Sequence, residues 1–147
     1  LYDKIVVLRQ SDKGRDPHMV KADPRLWRSV GGVCRDSVVS FRTHSFGRFK
    51  IGVDTLPPTV EASFGRGADL RGRRSVHFTI EDDCSGIESY TLTIDGDWML
   101  GIHDGKRSRV TCMLDPKRIT KSMMHKVTLV VVDQKNNITE YKTEFLW

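Results

Sequence analysis

Apolar side chains recur at every second position along much of this chain, and that period of two constrains its fold more than any other feature. Alternation places one set of side chains on a single face of an extended strand, so it predicts half-buried strands. No long stretch has the 3.6-residue period of an amphipathic helix, and only a turn near Pro116–Thr120 is expected. The sequence therefore predicts an all-β protein. Its core is expected from three alternating sets: Val76, Phe78 and Ile80; Tyr90, Leu92 and Ile94; Val127, Leu129 and Val131.

A stiff connection, Asp54-Thr55-Leu56-Pro57-Pro58, divides the pattern in two. Proline cannot donate a ladder hydrogen bond and biases its predecessor towards extended geometry. We therefore predict a small β domain over 1–55 and an immunoglobulin-like β-sandwich over 56–147. The first domain is expected to be incomplete, either lacking a piece or being a remnant, because a few short strands scarcely form a stable sheet alone. Its predicted strands are Ile5–Leu8, Val38–Phe41 and Phe46–Val53, the last with Phe49, Ile51 and Val53 on one face.

The second part has strand patterns at close intervals, as an immunoglobulin-like sandwich requires. The residues Asp95-Gly96 predict a type I′ hairpin turn, because both tolerate a positive φ. Asn136-Asn137 offers a similar turn before the last strand. The predicted strands are Thr59–Phe64, Ser75–Glu81, Glu88–Ile94, Asp97–Ile102, Arg109–Leu114, His125–Val132 and Ile138–Phe145.

Composition and charge narrow the class of protein. An apolar content of 38% with 29% charged residues is typical of globular proteins, and no apolar run is long enough to cross a bilayer. The chain opens at Leu1 without a methionine or signal sequence, which we interpret as a fragment or a processed product. The net charge of +5 lies wholly within 1–55. These basic residues are scattered and carry no aromatic–basic RNA-binding pattern, so no nucleic-acid partner is expected.

Motifs that would support catalysis are absent from the sequence. The five histidines form neither HxH, HxxxD nor HExxH, so no zinc site is predicted, and there is no nucleophile elbow or phosphate-binding loop. The adjacent His103 and Asp104 are expected to be surface residues rather than a catalytic dyad. Three cysteines, Cys34, Cys84 and Cys112, form no CxxC motif, and their disulfide state stays open. We therefore predict no enzyme activity and no catalytic residues.

Acidic and amide side chains concentrate in three loops that an up-and-down sandwich would bring to one end. Their oxygens are the hard ligands that calcium prefers. The alternative is that Asp and Asn cap tight turns by bonding nearby backbone amides. We favour turn capping because Lys106 and Lys135 would oppose a cation, so no cofactor is predicted and calcium is the alternative. The candidate ligands are Asp82, Asp83, Asp104, Asp133 and Asn137.

Two tryptophans are candidate binding residues. Trp98 follows the Asp95-Gly96 turn, and Trp147 follows Phe145 on the last strand. An exposed tryptophan on a β surface can stack on a sugar ring or contact a partner protein. The alternative, which we favour, is packing in a core or between domains, since Phe145 and Trp147 share a strand face.

Several segments together resemble a known family: Ser45–Phe49, Val53–Thr59, Asp83–Ile87, Thr93–Trp98, Val132-Asp133 with Asn136-Asn137, and Phe145–Trp147. They are similar to the non-catalytic C-terminal region of lysostaphin-type zinc metallopeptidases, the cell-envelope peptidoglycan endopeptidases of Gram-negative anaerobes. Leu1–Asp3 and Val30–Gly32 agree with the part that precedes the sandwich. The resemblance covers nearly the whole chain, although Ser11–Arg28 looks shorter and less regular than in the family.

The resemblance implies a β-rich accessory region with an immunoglobulin- or fibronectin-like end domain. The family's zinc is held upstream by HxxxD and HxH motifs that this chain lacks, so the peptidase activity does not carry over. We expect a non-enzymatic module located in the periplasm, at the outer membrane or outside the cell. Expected partners are the cell wall, a glycan, another envelope protein and the catalytic domain of the same parent chain. The alternative is an adhesin-like protein- or glycan-binding domain of a secreted or surface protein.

Overall fold

The computed structural model describes residues 2–11 and 27–147, and this part of the chain is nearly all β. The stretch Ser11–Arg28, expected to be short and irregular, lies largely outside the described residues. Among those residues, none belongs to a helix long and apolar enough to cross a membrane. A short 3₁₀ turn, Tyr2–Lys4, precedes fourteen strands: β1 Ile5–Gln10, β2 Trp27–Ser29, β3 Val33–Arg35, β4 Val38–Ser40, β5 Phe49–Val53, β6 Thr59–Ala62, β7 Ala68–Asp69, β8 Ser75–Glu81, β9 Ile87–Ile94, β10 Asp97–Met99, β11 Gly101–Asp104, β12 Arg109–Met113, β13 Met124–Asp133 and β14 Ile138–Leu146.

The residues before the Pro-Pro connection form two small sheets. One is antiparallel with the order β2-β1-β5, and the other is the β3-β4 hairpin. Val6 and Val7 on β1 are buried, whereas Ile51 and Val53 on β5 are exposed. The expectation of a half-buried face on β5 is therefore wrong for Ile51 and Val53. Phe49 is partly buried, and its ring centroid lies 5.1 Å from that of Phe41.

The remaining strands form two larger sheets that enclose one core. Their orders are β10-β9-β13-β14-β7 and β11-β12-β8-β6, and the pairing is antiparallel except between β7 and β14. Side chains from both sheets meet in a single apolar cluster, which includes the alternating residues predicted on β8 and β13 and those at Leu92 and Ile94. Tyr90 is only partly buried, and its hydroxyl donates to the carbonyl of Gly101 at 2.9 Å. The prediction of an all-β fold is confirmed.

Two local features depart from the predicted strands. The single strand expected over Asp97–Ile102 is two strands in different sheets, because the chain crosses from one sheet to the other at Leu100. At the crossing, Gly101 packs closely: an added Cβ would lie 2.8 Å from a methyl of Val110. The short strands β2, β3 and β7 were not predicted, since two or three residues carry no readable alternation.

Two of the predicted turns agree with the structure. Asp95 and Gly96 have φ angles of 54° and 92°, as a type I′ turn between β9 and β10 requires. Residues 116–119 form a turn, in which the amide of Ile119 donates to the carbonyl of Asp115. The turn expected at Asn136-Asn137 instead has Gln134 and Lys135 as its turn residues, and Asn136 follows them with a φ of 58°.

Candidate functional site

Three buried or partly buried carboxylates meet where the small sheets join the larger ones. Asp54 directly follows β5, Asp82 follows β8, and Asp133 ends β13. One oxygen from each carboxylate lies within 4.8 Å of an oxygen of the other two. Asp54 is 2% exposed and Asp133 is fully buried. We call these three residues the carboxylate cluster.

The loop after β8 wraps around two members of the cluster. Oδ2 of Asp82 accepts hydrogen bonds from the amides of Cys84 at 3.1 Å and Gly86 at 2.7 Å. The amide of Ser85, between them, donates to Oδ2 of Asp54 at 3.0 Å. The loop therefore fixes the first two carboxylates relative to each other through its own backbone.

The turn after β13 holds the third carboxylate in the same way. Oδ1 of Asp133 accepts from the amides of Lys135 at 2.7 Å and Asn137 at 2.8 Å. The side-chain amide of Asn137 donates to Oδ2 of Asp133 at 2.7 Å and to the carbonyl of Asp54 at 3.2 Å. Asn137 thus links the last turn of the sandwich to the connection between the sheets.

Two lysines donate hydrogen bonds between the small sheets and the sandwich, one from each side. We call this region, where the small sheets meet the sandwich, the junction. Nζ of Lys4, next to β1, donates to the carbonyl of Lys135 at 2.6 Å and to Oδ1 of Asn137 at 2.7 Å. Nζ of Lys135 donates to the carbonyl of Gly32 at 2.8 Å. Both ammonium groups therefore bond neutral oxygens. Within 2–11 and 27–147, no cationic side chain lies at ion-pair distance from the carboxylate cluster.

The electrostatic field of the cluster acts on a neighbouring thiol. Burial raises the pKa of Cys84, and the charges of Asp54, Asp82 and Asp133 raise it further, to about 11. The thiol is therefore protonated at neutral pH and is a poor nucleophile. This position does not have the chemistry of a catalytic cysteine.

The structure separates the five calcium candidates into two groups. Asp82, Asp133 and Asn137 lie together at the junction, with Asp82 and Asp133 in the cluster. Asp83 is exposed and is not part of it. Asp104 is also outside the cluster: its carboxylate accepts from the amide of Lys106 at 3.0 Å and pairs with a neighbouring arginine at 3.2 Å.

Asp54 is the member that the sequence analysis missed. It lies in the stiff connection, outside the loops of the sandwich that hold the predicted ligands. An aspartate at the end of an apolar strand and just before two prolines was the available signal. Lys135, which we expected to oppose a cation, is buried at 8% exposure and directs its ammonium to Gly32.

The two tryptophan candidates have different surroundings. Trp98 is 56% exposed on the edge strand β10. Trp147 is 4% exposed in the core, and its indole Nε1 donates to the carbonyl of Arg73 at 2.8 Å. A buried ring cannot stack on a ligand, so the surface-binding hypothesis for Trp147 is corrected and applies to Trp98 alone.

One of the histidines makes a buried contact that the sequence did not indicate. The ring of His125 lies between Oδ2 of Asp95, 2.6 Å from Nδ1, and the carbonyl of Thr120, 2.7 Å from Nε2. Both ring nitrogens thus lie at hydrogen-bond distance from an oxygen that can accept. His103 is exposed and packs on the ring of Tyr90.

Comparison with known proteins adds no assignment: no protein-family model and no curated protein matches the chain. The geometry of the junction supports two kinds of role. Its crossed hydrogen bonds join the small sheets to the sandwich, and its carboxylate oxygens have the spacing of cation ligands.

Proposed function

We propose that this chain is a non-enzymatic accessory module of a cell-envelope peptidoglycan hydrolase. In this role it holds the catalytic domain of its parent chain in position, or docks that domain to the cell wall. The family resemblance of the sequence supports this class of protein, and the hydrogen bonds between the small sheets and the sandwich support a structural part.

The strand order supports an immunoglobulin-like assignment for the sandwich. If β6, β8, β11 and β12 are strands A, B, D and E, their order in the sheet is A-B-E-D. The other sheet then has C′-C-F-G in β10, β9, β13 and β14. These are the neighbours found in immunoglobulin sandwiches that carry a C′ strand. β7 pairs parallel to β14 at the opposite edge of that second sheet.

The crossed hydrogen bonds of the junction carry the positioning role. Lys4 reaches from the small sheets to the last turn of the sandwich, and Lys135 reaches back to Gly32. Asn137 adds a bond to the carbonyl of Asp54. Bonds in both directions resist rotation about the connection, so a domain attached to the small sheets would keep a fixed direction relative to the sandwich.

NMR relaxation of backbone amides tests this rigidity. A rigid module gives a single rotational correlation time for amides of the small sheets and of the sandwich. Asn137→Ala is expected to separate the two values, whereas Asn136→Gly, at the neighbouring exposed position, is expected to keep them equal. Two different correlation times in the unaltered chain would refute the positioning role.

Sedimentation with purified peptidoglycan tests the docking role. If the module docks to the cell wall, the purified chain is expected to sediment with insoluble sacculi, and soluble peptidoglycan fragments are expected to release it. A chain that stays in the supernatant while it binds an envelope protein tightly would reject docking to the wall.

An adhesin-like role is the second candidate, and four exposed apolar side chains favour it. Each is between 55% and 59% exposed: Trp98 on β10, Leu100 between β10 and β11, Ile102 on β11 and Met113 on β12. Exposed apolar side chains on neighbouring segments are typical of surfaces that bind a partner. Both β10 and β11 are edge strands, so their free edges can also pair with an added strand.

A substitution of the exposed Trp98 tests this alternative. Trp98→Ala is expected to weaken binding of a glycan array or of an envelope-protein partner while the melting temperature stays nearly unchanged. Ile138→Ala is the matched control, because Ile138 is 61% exposed on a different strand. A large loss of stability in Trp98→Ala, or equal binding by both variants, would contradict an adhesin-like surface at Trp98.

A further inference from the structure

We propose that the carboxylate cluster of Asp54, Asp82 and Asp133 binds one calcium ion at the junction. Calcium–oxygen distances in proteins are about 2.3–2.6 Å, so two oxygens on opposite sides of one ion lie about 5 Å apart. The cluster offers one oxygen from each carboxylate within 4.8 Å of the others. This spacing is compatible with three oxygens that share one ion.

The negative charge of the carboxylate cluster favours the binding of a cation. Buried carboxylates in proteins are paired with cationic side chains or coordinate metal ions, because an uncompensated buried charge is costly. Asp54 and Asp133 are almost fully buried, yet no lysine, arginine or histidine in the described ranges forms an ion pair with them. The nearby ammonium groups of Lys4 and Lys135 donate to neutral oxygens instead.

An independent observation is the hydroxyl of Ser85. Its Oγ is buried and is the one such side-chain oxygen without a hydrogen-bond partner in the described part of the chain. Ser85 is 8% exposed, and its amide bonds Asp54 while the amides on either side bond Asp82. These bonds hold Ser85 against both carboxylates, where a bound ion would give its hydroxyl the missing partner.

The ligand chemistry favours calcium over other ions. The ligand atoms that the cluster offers are all carboxylate oxygens, which are hard ligands of the kind that calcium and magnesium bind. Magnesium requires near-ideal octahedral geometry at shorter distances, whereas calcium accepts irregular sets of six to eight oxygens completed by water. The positive charges of Lys4 and Lys135 oppose the ion and reduce its affinity.

Calcium at this position would strengthen the junction on which the proposed positioning role rests. Asp54 belongs to the connection between the sheets, whereas Asp82 and Asp133 belong to two loops of the sandwich. One ion bound to all three would tie the connection to both loops. The metal site does not itself depend on the parent protein being a peptidoglycan hydrolase, so the following experiment tests it separately.

Isothermal titration calorimetry of the metal-free full chain with calcium chloride is the test, with thermal unfolding in calcium or EDTA beside it. The unaltered chain is expected to bind one calcium per chain and to melt at a higher temperature with calcium. Asp82→Asn keeps an oxygen acceptor for the loop amides but removes a charge, so its affinity is expected to fall at least about tenfold. Asp104→Asn, which alters an aspartate outside the cluster, is expected to bind as the unaltered chain does.

Three results would overturn the proposal. The first is that the unaltered chain binds no calcium at millimolar concentration. The second is that Asp82→Asn binds calcium as tightly as the unaltered chain, and the third is that magnesium raises the melting temperature as much as calcium does. If Asp82→Asn fails to fold, Ser85→Ala replaces it as the test variant. Weakened calcium binding by Ser85→Ala, with an unchanged circular dichroism spectrum, supports the site. Unchanged affinity in Ser85→Ala would refute it.

Discussion

Replacement of Asn137 by alanine is the most direct perturbation of the junction. Asn137 is 8% exposed, and its side chain bonds three groups: a carboxylate oxygen of Asp133, the carbonyl of Asp54 and the ammonium of Lys4. In Asn137→Ala, Lys4 keeps its bond to the carbonyl of Lys135. Oδ2 of Asp133 and the carbonyl oxygen of Asp54 lose the hydrogen bonds that the side-chain amide of Asn137 donates to them.

The expected cost follows from these two buried oxygens. A buried polar group left without its partner costs about 1–3 kcal/mol, so the loss of two such bonds in Asn137→Ala is expected to lower the free energy of unfolding by about 2–6 kcal/mol. With a urea m-value of about 2 kcal/mol per molar, the midpoint falls by about 1–3 M. Unfolding should be followed by circular dichroism in EDTA, so that no bound cation compensates for the lost amide.

The matched control is Asn136→Gly. Asn136 is exposed and has a φ of 58°, a conformation that glycine adopts without strain. Its substitution is expected to change stability by less than about 0.5 kcal/mol. A cost below about 1 kcal/mol for Asn137→Ala, or equal costs for the two variants, would show that the junction contributes little and would refute this account of it.

Two further predictions concern the sandwich. Gly101→Ala is expected to cost about 1–3 kcal/mol by urea unfolding, because its Cβ would lie 2.8 Å from a valine methyl on the neighbouring strand. Gly72→Ala, where nothing lies within 4 Å, should be nearly neutral, and equal costs would contradict the close packing at Gly101. Partial burial opposes ionisation of Asp95, but hydrogen bonds from His125 and a backbone amide prevail and lower its pKa below 3.8. The resulting stabilisation is present above that pH and is lost as the pH falls through the lower folded-state value. The melting temperature of the unaltered chain should therefore exceed that of Asp95→Asn at neutral pH, and the difference should shrink as the pH falls below 3.8; a difference independent of pH would argue against this.

The alternation of apolar residues was enough to predict the all-β class and most of the core. Alternation is a local property of an extended strand, because successive side chains point to opposite faces wherever the strand pairs. The buried faces of β8 and β13 were therefore readable from the residues. The turn at Asp95-Gly96 was readable for a similar reason, since tolerance of a positive φ belongs to the residues themselves.

Which distant residues come into contact depends on the tertiary structure. Asp54 belongs to the connection between the sheets, and its position beside Asp82 and Asp133 depends on how the small sheets pack on one end of the sandwich. The local sequence pattern also could not show that the strand after Asp95-Gly96 divides between two sheets. Nor could it show that Trp147 is buried while Trp98 is exposed. The candidate site was therefore only partly predictable, because hydrogen-bonded strand pairing and the packing of sheets, rather than the alternation within any one strand, bring its carboxylates together.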